Sequence, residues 1–194
     1  PYGEAKYSKV IKENLIDIKQ DGSFKINMKY FNYATDLTMT NKKFHNLFGE
    51  NPRNSKKENL TQFHMDIAAS IQKVTEEIMI NLAKSIRKEY GIKNLCLAGG
   101  VALNCVANGK ILQEKIFDNI WIQPAAGDAG GSLGAALALW YIDQGNERLP
   151  SFKDHMQGSY LGTNFDQDEI EKELKSVGAN FKTYDYGSLI NKTS

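Results

Sequence analysis

One amide and one carboxylate, each set in a run of small residues, are the side chains best suited to chemistry in this chain. Asn104 closes the stretch Leu95-Cys-Leu-Ala-Gly99-Gly100-Val-Ala-Leu-Asn104, and Asp128 lies within Gln123-Pro-Ala-Ala-Gly127-Asp128-Ala-Gly130-Gly131-Ser132. Paired glycines after an apolar run remove two β-carbons, so a ligand can come within hydrogen-bonding range of the main chain. The asparagine amide adds an acceptor oxygen and two donor hydrogens. A carboxylate in a glycine-lined mouth suits a hard or borderline cation that also touches phosphate oxygens. The plainer reading is that the glycines let a helix pack on a strand, Asn104 satisfies local backbone and Asp128 caps a helix. Against it, Gly127, Gly130 and Gly131 are a costly way to start a helix, at about 1 kcal/mol each relative to alanine inside one.

Other reactive side chains form no pattern. His45, His64 and His155 are widely separated, and His64 is read as a surface or capping residue near a helix start. Cys96 and Cys105 belong to no CxxC pair or cysteine–histidine cluster, which favours a reducing, cytoplasmic setting. Cys96 is expected to serve as a small hydrophobe in a strand. No serine or cysteine has the setting of a nucleophile elbow. Asn108-Gly109-Lys110 lacks the frame of a phosphate-binding P-loop.

The elements that hold Asn104 and Asp128 follow from the hydrophobic periods. Phe63, Ile67, Ile71, Val74, Ile78 and Leu82 recur at three and four residues, which predicts a long helix over 62–90 ended by Gly91. Ser55-Lys-Lys-Glu58 matches a capping box ahead of it. Leu95–Ala98 reads as a strand buried on both faces. Helix over 101–115, strand over 119–122 and helix over 129–144 follow, an order that implies parallel strands with right-handed crossovers. Each strand thus runs into a small-residue corner, and both corners fall at one edge of the sheet, where α/β proteins bind nucleotides. Gly134, Ala135, Ala136 and Ala138 give the last helix a thin face for packing. Upstream, Tyr7–Leu15 is a short amphipathic helix, and the alternation around Asp21-Gly22 predicts a β-hairpin. Residues 29–60 read as loops and short helices anchored by Phe31, Phe44, Leu47 and Phe48. Gly145–Pro150 looks like a linker, followed by a helix over 166–176 with acidic residues first and Lys172 and Lys175 later.

At 194 residues the chain has room for one generous domain or one domain and part of another. Its formal net charge of +1 gives no case for nucleic-acid binding through bulk electrostatics. The charged run from Lys42 to Lys57 reads as a solvated loop. No apolar run approaches the ~18 residues that cross a bilayer, and no signal-peptide pattern opens the chain. Beginning without methionine and finishing without an obvious stopping element, it is expected to be a fragment.

Taken together, these residues resemble the carbamoyltransferases that modify nodulation factors and antibiotics. The resemblance rests on Pro1-Tyr2-Gly3 with Lys6-Tyr7, Asp21-Gly22-Ser23-Phe24 with Tyr30-Phe31, Phe48-Gly49, His64-Met-Asp-Ile-Ala68 with Gln72, and both glycine-rich blocks. It implies an α/β fold: the C-terminal half of an actin-like ATPase (ASKHA) domain, truncated, with a mixed sheet and flanking helices. Residues 1–147 would be that half, and 148–194 a linker and the start of a carboxy-terminal domain, with Gln157–Gly162 at its entry. The implied reaction joins carbamoyl phosphate and ATP into a carbamoyl adenylate, then passes the carbamoyl group to a small-molecule hydroxyl. By the same resemblance Gly99, Gly100 and Asn104, with Gly127, Gly130 and Gly131, would contact the nucleotide. Asp128 would ligate a divalent metal, iron or magnesium. No catalytic residue is assigned.

The family's first phosphate loop and histidine pair have no counterpart in this sequence, nor does its arginine- and glycine-rich carbamoyl phosphate segment. The chain alone is therefore expected to hold half a nucleotide site and to be inactive. Its exposed apolar surface could form a homodimer. Two other functions stay open: a threonylcarbamoyl-type tRNA-modifying enzyme or actin-like kinase, and a non-catalytic ATP-binding regulatory module.

Overall fold

The structure is a computed structural model and describes residues 2–151 and 153–193. Pro1, which opens the family-like stretch, and Ser194 lie outside the described residues. The chain divides into two compact units, Pro1–Glu147 and Arg148–Ser194, and the division falls inside the Gly145–Pro150 segment.

The first unit is organised around one long helix. In order it holds α1 (Ser8–Asn14), β1 (Ile16–Ile18), β2 (Phe24–Ile26), α2 (Lys42–Phe48), α3 (Gln62–Tyr90), β3 (Asn94–Leu97), α4 (Cys105–Gln113), β4 (Asn119–Ile122) and α5 (Ala129–Ala138). The period of apolar residues gives α3 two stripes, because side chains three and four apart share a face. Val74, Ile78 and Leu82 pack against Ile11, Leu15, Tyr30, Phe44 and Phe48. Met79, Ile80 and Ala83 pack against Leu95, Ile111, Phe117 and Ile120. Each fully buried Ile or Leu in these clusters contributes about 1.5–3 kcal/mol through apolar burial. The helix thus joins the hairpin to the strand–helix segment that carries both corners.

β1 and β2 pair antiparallel, with Ile16 opposite Ile26 and Ile18 opposite Phe24. The hairpin tip closes with the Gly22 N–H donating to the Lys19 carbonyl at 3.0 Å and the Lys19 N–H donating to Ser23 at 2.8 Å. Gly22 has φ of +84°, and a β-carbon there would stand 2.5 Å from the Leu82 nitrogen. Glycine is required both by the turn and by its seat on α3.

β3 and β4 pair in parallel, Asn94 with Asn119 through Leu97 with Ile122. The four strands form two separate two-stranded sheets among the described residues, which corrects the expectation of one mixed sheet. The hairpin is a local pairing held on one stripe of α3, while β3 and β4 sit on the other stripe, so the helix stands between them.

Further expectations are corrected. β3 is covered on one face only: Leu95 is buried, but Cys96 is exposed and its strand partner Trp121 is 50% exposed. Alternation points Cys96 and Trp121 away from α3, to a side that the described residues of the unit leave exposed. α3 does not start from a Ser55–Glu58 box. Asn54 and Glu58 close a turn of their own, with the Glu58 carboxylate accepting from the Asn54 N–H at 2.8 Å. The capping box is Thr61 with His64, whose Nδ1 accepts from the Thr61 N–H at 3.1 Å, so His64 caps as expected. The helix over 101–115 is two pieces, a 3-10 turn at Gly100–Leu103 and then α4. α5 buries none of its residues, so its Gly134–Ala138 face is left uncovered by the described residues of the first unit.

The second unit holds a 3-10 turn at Gln157–Ser159, α6 (Gln167–Ser176) and α7 (Tyr186–Thr193). α6 begins with a capping box between Asp166 and Glu169. α7 has no counterpart in the sequence reading. Its start is marked by Asp185, whose carboxylate accepts from the Ser188 N–H at 3.0 Å, an N-terminal signal of the ordinary kind. Among the described residues no helix is long and apolar enough to cross a membrane.

Candidate functional site

The parallel pairing of β3 and β4 brings their two C-terminal corners together. The Gln123 N–H donates to the Leu97 carbonyl at 3.0 Å, and the Gly99 N–H donates to the Ala126 carbonyl at 2.7 Å. Gly99–Gly100 and Gly127–Asp128 therefore leave the sheet side by side. Gly99 holds φ of +96°, which turns the chain sharply out of β3. No atom would meet a β-carbon within 4 Å at Gly99, Gly100, Gly127 or Gly131. That open main chain is what a phosphate-bearing ligand needs to approach.

Asn104 is only partly free for such a ligand. It is the N-cap of α4, and its Oδ1 accepts from the Ala107 N–H at 3.1 Å. Its amide also pairs reciprocally with Gln72 of α3, donating to Oε1 at 2.9 Å and accepting from Nε2 at 3.1 Å. The backbone-satisfying role is thus realised, and the side chain is held towards α3. Asp128 behaves in the opposite way. It is exposed, and as the first flank of α5 it makes no side-chain capping hydrogen bond. Its carboxylate is left available.

Gly130 differs from its neighbours. A β-carbon there would stand 2.1 Å from the Ala125 carbonyl oxygen, so this glycine is demanded by the corner's own packing.

A polar network beside Asn104 was not visible in the motifs. Glu76 on α3 is 5% exposed. One carboxylate oxygen accepts from Gln72 Nε2 at 2.9 Å, and the other pairs with the Lys110 ammonium of α4. Burial alone pushes the Glu76 carboxyl up, but the hydrogen bonds from Lys110 and Gln72 outweigh it and leave it below the usual glutamate value. The signal was present: Glu76 stands seven residues before the buried Ala83, in one stripe of α3, so a carboxylate there requires a partner. A cleft of about 730 Å³ opens along the same helix, lined by Tyr2, Met65, Ala68, Gln72, Glu76 and Val106 among others.

A second buried carboxylate anchors the start of the chain. Asp66 accepts from the Glu4 N–H at 2.8 Å and from Gln62 Nε2 at 2.8 Å, and it ion-pairs with Lys6 at 3.0 Å. These contacts, the Glu4 backbone bond foremost, bring its pKa from 3.8 to about 2. Among the described residues no three His, Cys, Asp or Glu side chains converge in a metal-binding group.

The sequence model of the carbamoyltransferase N-terminus matches residues 1–137, a span that includes both corners. The chain belongs to the carbamoyltransferase family. It is 58% identical over 188 residues to an uncharacterized protein of Synechocystis sp., covering 97% of this chain and 30% of that protein. It is 53% identical over 79 residues to nodulation protein NolO of Bradyrhizobium diazoefficiens, covering 41% of this chain and 14% of the relative. With nodulation protein NolNO of Sinorhizobium fredii the identity is 40% over 123 residues, 63% of this chain and 18% of that one. The chain therefore spans less than a third of the length of these curated relatives. As a carbamoyltransferase N-terminal segment, it brings to the family the two joined corners, the open carboxylate of Asp128 and the amide of Asn104.

Proposed function

We propose that this chain supplies part of an ATP-dependent O-carbamoyltransferase. In it, water releases carbamate and phosphate from carbamoyl phosphate, carbamate and ATP give a carbamoyl adenylate and pyrophosphate, and the carbamoyl group passes to a small-molecule hydroxyl with release of AMP. The observation that carries this reading is the backbone bond from Gly99 to Ala126, which sets two open glycine corners side by side within the family-matched region. In this reading the open main chain at Gly99, Gly100, Gly127 and Gly131 gives the nucleotide phosphates room to approach, the N–H groups of Gly99 and Gly131 being already bonded to Ala126 and Asp128. Asn104 donates a hydrogen bond to the nucleotide. Gly130 shapes the corner rather than touching the ligand. This reading makes the arrangement one half of an actin-like ATPase site, with the other half in the part of the relatives' length that this chain does not span.

Asp128 fits a divalent cation as one oxygen ligand, since its carboxylate is exposed and uncommitted. Iron or magnesium would need further ligands beyond this carboxylate. When bound, such a cation offsets charge on phosphate oxygens. Both cysteines are free thiols, in keeping with a reducing compartment such as the cytoplasm.

The test uses a polypeptide of the relatives' full length, incubated with ATP, carbamoyl phosphate and a panel of small-molecule alcohols. Release of AMP together with a carbamoylated product by mass spectrometry is the expected result. ATP binding with no AMP released under any acceptor condition would favour a regulatory module instead.

A further inference from the structure

We propose that Gln72 is a positioning residue for Asn104, fixing its amide so that Asn104 meets a ligand only as a hydrogen-bond donor, through Nδ2, to an acceptor oxygen. This rests on the nucleotide reading above for the identity of the ligand, but the orientation itself follows from the network.

Amide oxygen and nitrogen are told apart by their partners. The Ala107 N–H can only donate, so the Asn104 atom 3.1 Å from it is Oδ1. The Gln72 atom 3.1 Å from that oxygen must donate, so it is Nε2. The far end of the network agrees independently. Gln72 Nε2 also lies 2.9 Å from Glu76 Oε1, and a carboxylate held ionised by Lys110 can only accept. Reversing Gln72 would set its carbonyl oxygen against both the Glu76 carboxylate and Asn104 Oδ1. One orientation satisfies every contact.

The hydrogen-bonding capacity then leaves one function over. Asn104 Oδ1 accepts twice, from Ala107 and Gln72, which fills its two lone pairs. Nδ2 spends one hydrogen on Gln72 Oε1 at 2.9 Å, and its second hydrogen has no partner among the described residues. A ligand at Asn104 therefore finds a lone N–H donor. That donor selects phosphate, hydroxyl or carbonyl oxygens and gives nothing to an ammonium or another N–H. The selecting information lies on α3, 32 residues upstream of Asn104, in a glutamine that need not touch the ligand.

A polypeptide of the relatives' full length, with its side-chain amides labelled with nitrogen-15, provides the test, the amide resonances being read during titration with ATP. In the wild type, one Asn104 Nδ2 proton is expected to exchange slowly and be unmoved by ATP, while the other exchanges fast and shifts on binding. Gln72→Leu should erase the difference between the two protons and weaken ATP binding about 3- to 10-fold, the range of one ordinary hydrogen bond. Gln72→Met, similar in length and without the amide, should do the same, and thermal melts establish that each variant folds. A wild-type spectrum in which both Asn104 protons exchange alike overturns the proposal without any variant. So does a folded Gln72→Leu chain with Asn104 resonances and ATP affinity unchanged. If ATP moves no resonance in the wild type while the slow proton is present and lost in Gln72→Leu, the donor orientation stands and the nucleotide reading falls.

Discussion

Gly130 cannot carry a β-carbon, because that atom would stand 2.1 Å from the carbonyl oxygen of Ala125. Next to it, Gly131 has open space around the same position. Two adjacent glycines that look alike in the sequence thus have different reasons to be there, one set by packing and one compatible with ligand approach.

The pair separates experimentally. Gly130→Ala should destabilise the first unit by about 1–3 kcal/mol, the usual cost of overpacking. Gly131→Ala should be neutral or stabilise by up to about 1 kcal/mol, since alanine is the better helix former. Urea unfolding followed by circular dichroism distinguishes them. If Gly131→Ala also weakens ATP binding while raising stability, the ligand passes over that residue.

Asp66 makes acid stability predictable in sign. Its folded pKa of about 2 lies below the ordinary 3.8. The group therefore adds stability that is complete above the unfolded value and disappears as pH falls from 3.8 towards 2. Asp66→Asn cannot titrate, so its urea midpoint should be lower near neutral pH and change less across that window. A wild-type midpoint falling no more steeply than that of the variant between pH 4 and 2 would remove Asp66 as the cause.

Lys110→Met leaves the Glu76 carboxylate 5% exposed with Gln72 as its remaining partner. The expected loss is about 1–3 kcal/mol, less than the ~3–5 of a fully enclosed pair, because Lys110 keeps 39% of its side chain in water. Glu76 should then titrate higher, since burial is no longer outweighed. In the wild type the contribution of Glu76, a carboxylate with a lowered pKa, is present above the unfolded value and lost on acidification. In Lys110→Met, by contrast, burial raises the pKa and the variant should gain stability as pH falls. Denaturation of both proteins at pH 4 and pH 7 checks both statements.

Asp128→Asn should leave stability within about 0.5 kcal/mol, as expected for a surface side chain with no structural bond. Manganese titrated as a relaxation probe in the presence of ATP should lose its effect on neighbouring resonances in this variant. An unchanged manganese effect would place the cation elsewhere.

Much of the chain's organisation was legible before any coordinates. The span of α3 from Gln62 to Tyr90 is written in apolar residues three and four apart, and the parallel pair β3–β4 follows from alternating helix and strand patterns. His64 as a capping residue, the hairpin at Asp21-Gly22, and membership of the carbamoyltransferase family were readable too. These are local or colinear properties, which depend on neighbours within a turn or two of chain.

What the tertiary structure alone decided concerns partners far apart in sequence. Only the fold shows that Gln72 takes up the Asn104 amide across 32 residues, that Glu76 finds Lys110 across 34, and that Cys96 with Trp121 stands on an uncovered face. The sequence determined which stretches become helix, strand and glycine corner, because backbone conformation is set by local sterics and hydrophobic period. The packing of α3 against α4 decided which polar groups are already spent and which remain for a ligand, because hydrogen-bond capacity is consumed by whatever donor or acceptor the fold brings within reach.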